Sequence, residues 1–183
     1  MVYDKAVNRF FDAALRPEDW PAALDEIAEC LGADGATLVI GSSTRPTVAE
    51  SNRIKPIVAE YWSRGAPIDP REDRVKPRIS DGFVDDHTHF TQAEIDRSPF
   101  YQEFLRPVGF GWHAVACLGE APDDIVLSLK RRGARGAFQA PEIDAMNKVL
   151  PHLRGAAAAA RKGWGMALDD QLATMARFGH GGI

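Results

Sequence analysis

Only two of the 183 residues are cysteine, Cys30 and Cys117. Far apart in the chain and without a catalytic-looking neighbourhood, they exclude a disulfide framework and a cysteine zinc site and read as reduced, buried thiols. No apolar run approaches the ~20 residues needed to cross a bilayer, so no membrane partner is expected. The leading "MVYDKAVNRFF" mixes charges early and has no apolar core followed by small residues, which excludes a secretory signal and implies the cytoplasm. An excess of positive charge is also missing, since 22 Lys and Arg face 26 Asp and Glu. Duplex binding rests on many cationic contacts to phosphate, so the net charge of −4 argues against direct nucleic-acid binding by this chain. The basic cluster "KRRGAR", Lys130 to Arg135, reads as a solvated turn after a strand. Ser42, Ser43 and Ser128 lie outside any G-x-S-x-G context, and no glycine-rich phosphate loop follows a strand. No enzyme and no cofactor is therefore expected.

What is present suffices for one domain. A chain of this length buries roughly 70% of its unfolded surface, and 45% of its residues are hydrophobic. Val7, Phe10, Phe11, Ala14 and Leu15 form an apolar stripe at helical spacing over Asp4 to Leu15, ended by Pro17. Asp19 is placed to cap a second helix that turns Trp20, Leu24, Ile27, Ala28 and Leu31 to one side and ends at Gly32. "GATLVIG" predicts a buried strand and "TVAES" a second. A helix from Ile54 to Arg64 carries Ile57, Val58, Tyr61 and Trp62 inward, and "GAPIDPREDRVKPRISDG" is a long loop. Thr91 and Glu94 have capping-box spacing, with a break before Pro99 and further helical turns to Leu105. The alternating runs "GWHAVACLG" and "DIVLSLKRR" predict a hairpin, near Trp112 to Leu118 and Ile125 to Lys130. The sum is an α+β plan, an antiparallel sheet of four or five strands flanked by helices, with a long C-terminal helix.

Tyr61, Trp62, Phe83, Phe100, Tyr101, Phe104 and Trp112 gather around the proline-rich loop. Aromatic walls with a few polar groups suit a small-molecule pocket, although an ordinary core explains Phe100 and Phe104 as well. Asp69 could accept a ligand N–H or start a turn before Pro70. His113 alternates with Trp112 on its strand, with a ligand or a structural role open to it. In "DDHTHF" an extended chain would project Asp85, His87 and His89 to one side, so a metal-dependent enzyme stays as an alternative beside an acidic solvent turn. Along the last helix Ile143, Met146, Leu150, Leu153, Ala157, Ala160 and Trp164 follow a/d spacing, which predicts a homodimer seam. Pro151 would kink that helix, and Gly155, Gly163 and Gly165 weaken it.

"FFDAALRPEDWPAALDEIAECLGADGATLVI", "EYWSRGAPIDPRED", "RSPFYQEFLRPVGFGWHAVACL" and "FQAPEIDAMNKVLPHLRGA" together resemble the GAF/PAS-like N-terminal sensor region of LuxR-type bacterial transcriptional regulators. The resemblance implies a GAF/PAS-like sensor domain over residues 1–140 and a signalling and dimerisation helix over 141–183. It also implies a small-molecule ligand and an output through a C-terminal helix-turn-helix that this chain lacks, so "MALDDQLATMARFGHGGI" would open a segment cut short. The "IDP" of Ile68 to Pro70 is similar to acyl-homoserine-lactone-binding domains, where the aspartate contacts the ligand amide. Tyr61, Asp69 and Pro70 match that pattern, and Phe83 stands where those domains place a tryptophan. With the aromatic residues and His113 read above, the candidate ligand set is Tyr61, Trp62, Asp69, Phe83, Tyr101, Phe104, Trp112 and His113. A module that only dimerises or binds protein, without a ligand, is the other reading.

Overall fold

The computed structural model describes residues 3–41, 47–63, 69–71, 74, 79–119 and 125–178, and the side chains there except those of 47, 61, 62 and 160–178. Helix α1 (Asp4–Leu15) buries Ala6, Val7, Phe10, Ala13 and Ala14. The helix is rotated from the expected stripe, for Phe11 is 37% and Leu15 74% exposed. Small Ala6 and Ala13 take the inner positions and let α1 approach its neighbours closely. Helix α2 (Trp20–Cys30) follows a 3-10 turn at Pro17–Asp19, and Trp20 meets Phe10 in a T-shaped contact at 4.7 Å between ring centroids. Asp19 does not cap it but pairs with Arg16 at 3.2 Å, because the 3-10 turn already winds the backbone into the helix. Its C-terminus closes as expected at Gly32, φ 72°, with Gly32 N–H donating to Glu29 O and Ala33 N–H to Ala28 O.

Five strands form one sheet in the order β2-β1-β5-β4-β3, every neighbour antiparallel: β1 Gly35–Ile40, β2 Thr47–Glu50, β3 Val84–Asp85, β4 Phe110–Cys117 and β5 Ile125–Arg132. The expected hairpin is β4–β5, and its register slips between Phe110 and Trp112. Gly111 sits in that slip, where a Cβ would come within 2.8 Å of Gly133 Cα. Period-two alternation splits the sheet into two faces. Ala36, Leu38, Ala114, Ala116, Leu127 and Leu129 join α1, α2 and the terminal helix in the main core. Val115 and Cys117 face the other way, onto a smaller aromatic cluster with Phe90, Ile95, Phe100, Tyr101 and Phe104.

Helix α3 (Lys55–Ser63), the single turn α4 (Asp86–His89), α5 (Gln92–Arg97) and a π-helical stretch, Phe100–Leu105, lie with β3 between β2 and β4. The capping box of α5 is in place, with Thr91 accepting from Glu94 N–H and Glu94 accepting from Thr91 N–H at 2.8 Å. "DDHTHF" is not extended. The Asp85 carboxylate accepts Thr88 N–H at 3.0 Å and winds the next residues into α4, so Asp85, His87 and His89 do not share one side. Among the described residues no group of three or more His, Cys, Asp or Glu could hold a metal ion. No helix among them is long and apolar enough to cross a membrane.

Helix α6 (Ala140–Phe178) runs through Pro151 as helix. Met146, Leu150, Leu153 and Ala157 are buried in the main core, with Ile143 half-buried against it. This part of the expected dimer seam is therefore an internal stripe, covered by α1 and the sheet of the same chain. The side chains of Ala160 and Trp164 lie outside the described residues. "KRRGAR" is likewise not a solvated turn at its start. Arg131 is 4% exposed, stacks on Phe138 at 3.9 Å, and donates to Glu142 at 2.6 and 3.1 Å and to the carbonyl of Gly32 at 2.8 Å. That pair ties β5 to the first turn of α6. Gly155 in α6 has no need to be glycine, since a Cβ there would meet Phe11 Cζ at an ordinary 3.6 Å. Gly155→Ala is expected to raise the unfolding free energy by up to about 1 kcal/mol in urea titrations, by removing backbone freedom from the unfolded chain.

Candidate functional site

A cavity of about 240 Å³ opens on the sheet face away from α1, α2 and α6. The strands give it a floor. β1 places Thr37 and Val39 there, β2 Val48, β4 His113 and β5 Ser128 and Lys130, all residues opposite the core-facing positions of their strands. Ile57 and Val58 of α3 form one wall, and Phe100, Phe104 and Leu105 of the π-helix another. Asp69 and Arg71 complete the rim.

The polar groups of the cavity are linked. Arg71 grips Asp69 through both carboxylate oxygens, Nε to Oδ1 at 2.8 Å and Nη2 to Oδ2 at 2.6 Å, and its guanidinium lies over the Phe100 ring at 4.7 Å. Asp69 also accepts Arg71 backbone N–H at 2.9 Å, a turn in which the side chain mimics backbone. Lys130 Nζ donates to Thr37 Oγ1 at 2.8 Å and Ser128 Oγ at 3.0 Å. Ser128 Oγ stands 2.7 Å from His113 Nε2. Burial first, then the charge of Arg71, holds Lys130 down at about 7. The same causes, joined by Lys130, keep His113 well below the usual histidine range and neutral.

Behind His113 lies another acid, and this one is buried. Asp86 is 2% exposed, accepts Tyr101 O–H at 2.9 Å through Oδ1, and has no hydrogen-bond partner for Oδ2 among the described residues. Burial pushes its carboxyl up to about 6, against the opposing pull of Arg71 and the Tyr101 bond. Its 4.0 Å approach to His113 Nδ1 is a contact with a neutral ring and not an ion pair.

Of the residues singled out from the sequence, Asp69, Phe104, Trp112 and His113 border the cavity. Tyr101 is one layer behind it, in the bond to Asp86. Phe83 lies in the main core on the opposite face, where its N–H donates to Asn147 Oδ1 of α6 at 2.7 Å, so it is no part of the cavity wall. The side chains of Tyr61 and Trp62 lie outside the described residues, as do residues 64–68. Four further polar residues of the site were not expected there: Ser128 was weighed only as a nucleophile, Lys130 only as part of a basic turn, and Arg71 and Asp86 were not singled out. The first two had a signal: in "IVLSLKRR" the polar Ser128 and Lys130 alternate with Leu127 and Leu129, marking a polar patch on one sheet face.

Compared by sequence, the chain matches no family model and no curated protein. Compared by structure, it is similar to the ligand-binding domain of VqsR from Pseudomonas aeruginosa, with a TM-score of 0.64 and 15% identity over 88% of this chain and 97% of that one. CepR2 of Burkholderia cenocepacia, an N-acylhomoserine-lactone-dependent LuxR-family transcription factor, gives 0.61 and 18% over 87% and 96%. SdiA of Escherichia coli, in complex with octanoyl-rac-glycerol, gives 0.55 and 21% over 79% of this chain and 59% of its own. The chain thus has the α+β fold of the ligand-binding domains of LuxR-type regulators, an antiparallel sheet between helices, as its sequence resemblance implied.

Proposed function

We propose that this chain is the sensing part of a LuxR-family transcriptional regulator, non-catalytic and cytoplasmic, which binds a compact small molecule on the open sheet face. The cavity carries this reading. Its apolar wall of Phe100, Phe104 and Leu105 and the floor residue Val39 surround a few fixed polar groups, the composition of a small-molecule site, and its volume lies just under the usual range for drug-sized ligands. Two neighbours of the same fold involve acyl-bearing molecules: CepR2 is N-acylhomoserine-lactone dependent, and SdiA is in complex with octanoyl-rac-glycerol.

Output would pass through α6 to a DNA-binding domain that this sequence does not contain. The helix is coupled to the site side at two points, Asn147 to the segment that leads into Asp86 and Glu142 to Arg131 beside Lys130. A ligand that favours one arrangement of those contacts would shift the pose of the helix. Dimerisation belongs to the same proposal. With the seam through Ala157 internal, a twin would meet the later part of α6 and the exposed Phe11 and Leu15 of α1.

The test is a thermal-shift screen of the whole chain with N-acyl homoserine lactones, acyl glycerols and short acids. A ligand at 100 times its Kd adds about 2.7 kcal/mol to stability. Val39→Trp, which fills the cavity from its floor, is expected to abolish the shift. Absence of any shift in the parent protein, or the same shift in the filled variant, would sink the reading.

A further inference from the structure

We infer that the occupant of this cavity carries a carboxylate, which binds between Lys130 Nζ and the hydroxyls of Ser128 and Thr37 with its apolar body against Phe100, Phe104 and Leu105. The inference rests on the cavity being a ligand site and adds the charge of what fills it. An ammonium has three N–H donors, and Lys130 uses two of them on neutral hydroxyls, leaving the third unused among the described residues. No carboxylate there lies within ion-pair distance of it. Asp69, the one acid among the described residues of the cavity wall, has both oxygens taken by Arg71. Among the described residues the wall therefore holds two cationic side chains against one committed acid.

Taking an ammonium out of water without a counter-ion is unfavourable, and the group then either loses its proton or waits for an anion. Glu50 on β2 and Asp69 favour the charged form only from a distance, while Arg71 and burial oppose it. His113, facing Lys130 from β4, is neutral and supplies no charge. A lactone or an acyl glycerol would leave this imbalance in place. A carboxylate removes it, taking the free N–H of Lys130 in a charge-assisted bond.

Proton uptake follows. With free Lys130 titrating at about 7 and the bound amine held charged, affinity for an acid is fully present below pH 7 and falls as pH rises through it. The loss is about tenfold between pH 6 and pH 8. Asp86, ionising at about 6 behind His113, weakens anion binding in the same direction on the acid side of that range.

The experiment is calorimetric titration and thermal shift of the whole chain with matched pairs: hexanoate and hexanamide, octanoate and octanamide, phenylacetate and phenylacetamide. At pH 6.5 at least one acid is expected to bind and its amide to bind at least tenfold more weakly. Lys130→Met should erase that preference and Lys130→Arg keep part of it. Should Lys130→Met not fold, the pH profile of the parent protein decides alone. Amides or lactones binding as well as the acids, unaffected by Lys130→Met, overturn the carboxylate while leaving the cavity a ligand site. No acid of the series binding at millimolar concentration overturns it as well. If nothing binds, charged or neutral, and Val39→Trp changes nothing, the sensing proposal falls with it.

Discussion

Leu153→Ala is expected to lower the unfolding free energy by about 2–5 kcal/mol, the cost of a cavity left by a core leucine. The loss should be the same in dilute and in concentrated solution. Leu153 is 0% exposed and sits with Met146, Val149, Leu150 and Ala157 in the cluster that includes Phe10, Leu24 and Ile27. Its burial is complete within one chain, so the contribution of Leu153 to stability does not depend on a second copy. A seam between two copies would behave otherwise, because mass action makes the unfolding midpoint of an interface depend on protein concentration. Urea titrations at two concentrations a hundredfold apart, with light scattering on parent and variant, separate the cases. A loss that grows on dilution, or a mass that halves on substitution, would restore the intermolecular seam.

Why the sequence pointed elsewhere is physical. A 3-4 spacing of apolar residues specifies a stripe on a helix, and says nothing of what lies opposite it. In α6 the stripe from Ile143 to Ala157 met α1 and the sheet. The same limit explains α1, whose length and periodicity were legible while its rotation was not: the place taken by Ala6 and Ala13 is set by neighbours distant in sequence. Signals that complete themselves locally came through, among them the Gly32 helix end, the Thr91 and Glu94 capping box and the β4–β5 hairpin.

Short elements and displaced charges were harder. β3 is two residues long, too short for alternation to register. Asp85 looked like a potential ligand and proved to be a cap, because a side chain that can bond the backbone three residues on favours a turn over extension. Arg131 sits in a run of basic residues and reads as surface. Its burial depends on Glu142 arriving from the start of α6, a contact that no local pattern encodes. Arg71 enters the site for a similar reason, through its grip on Asp69 and its stacking on Phe100.

Asp86→Asn is expected to change how stability depends on pH. The Asp86 carboxyl is held up at about 6 by burial, against an ordinary 3.8. Because its folded value is raised, the native state binds the proton more readily than the unfolded chain. Stability from this group is fully present below pH 4 and is lost as pH rises to about 6, at about 1.4 kcal/mol per pH unit, or roughly 3 kcal/mol in all. Above that window the contribution is flat. Asparagine cannot ionise and keeps an oxygen for the Tyr101 O–H, so the variant loses the slope. Its amide nitrogen takes the place of Oδ2, which has no partner, and an unmet donor costs about 1–3 kcal/mol. The variant should therefore be weaker than the parent near pH 4 and recover relative to it by about 3 kcal/mol by pH 7. Urea titrations of both proteins at half-unit steps from pH 4 to 7.5 give this difference directly, and subtracting one curve from the other cancels the remaining carboxylates. A difference that stays level across the window would mean that Asp86 titrates as an ordinary surface acid. It would also mean that the layer behind His113 is wet, and that the sheet face holds no dry site in which a single charge could choose the ligand.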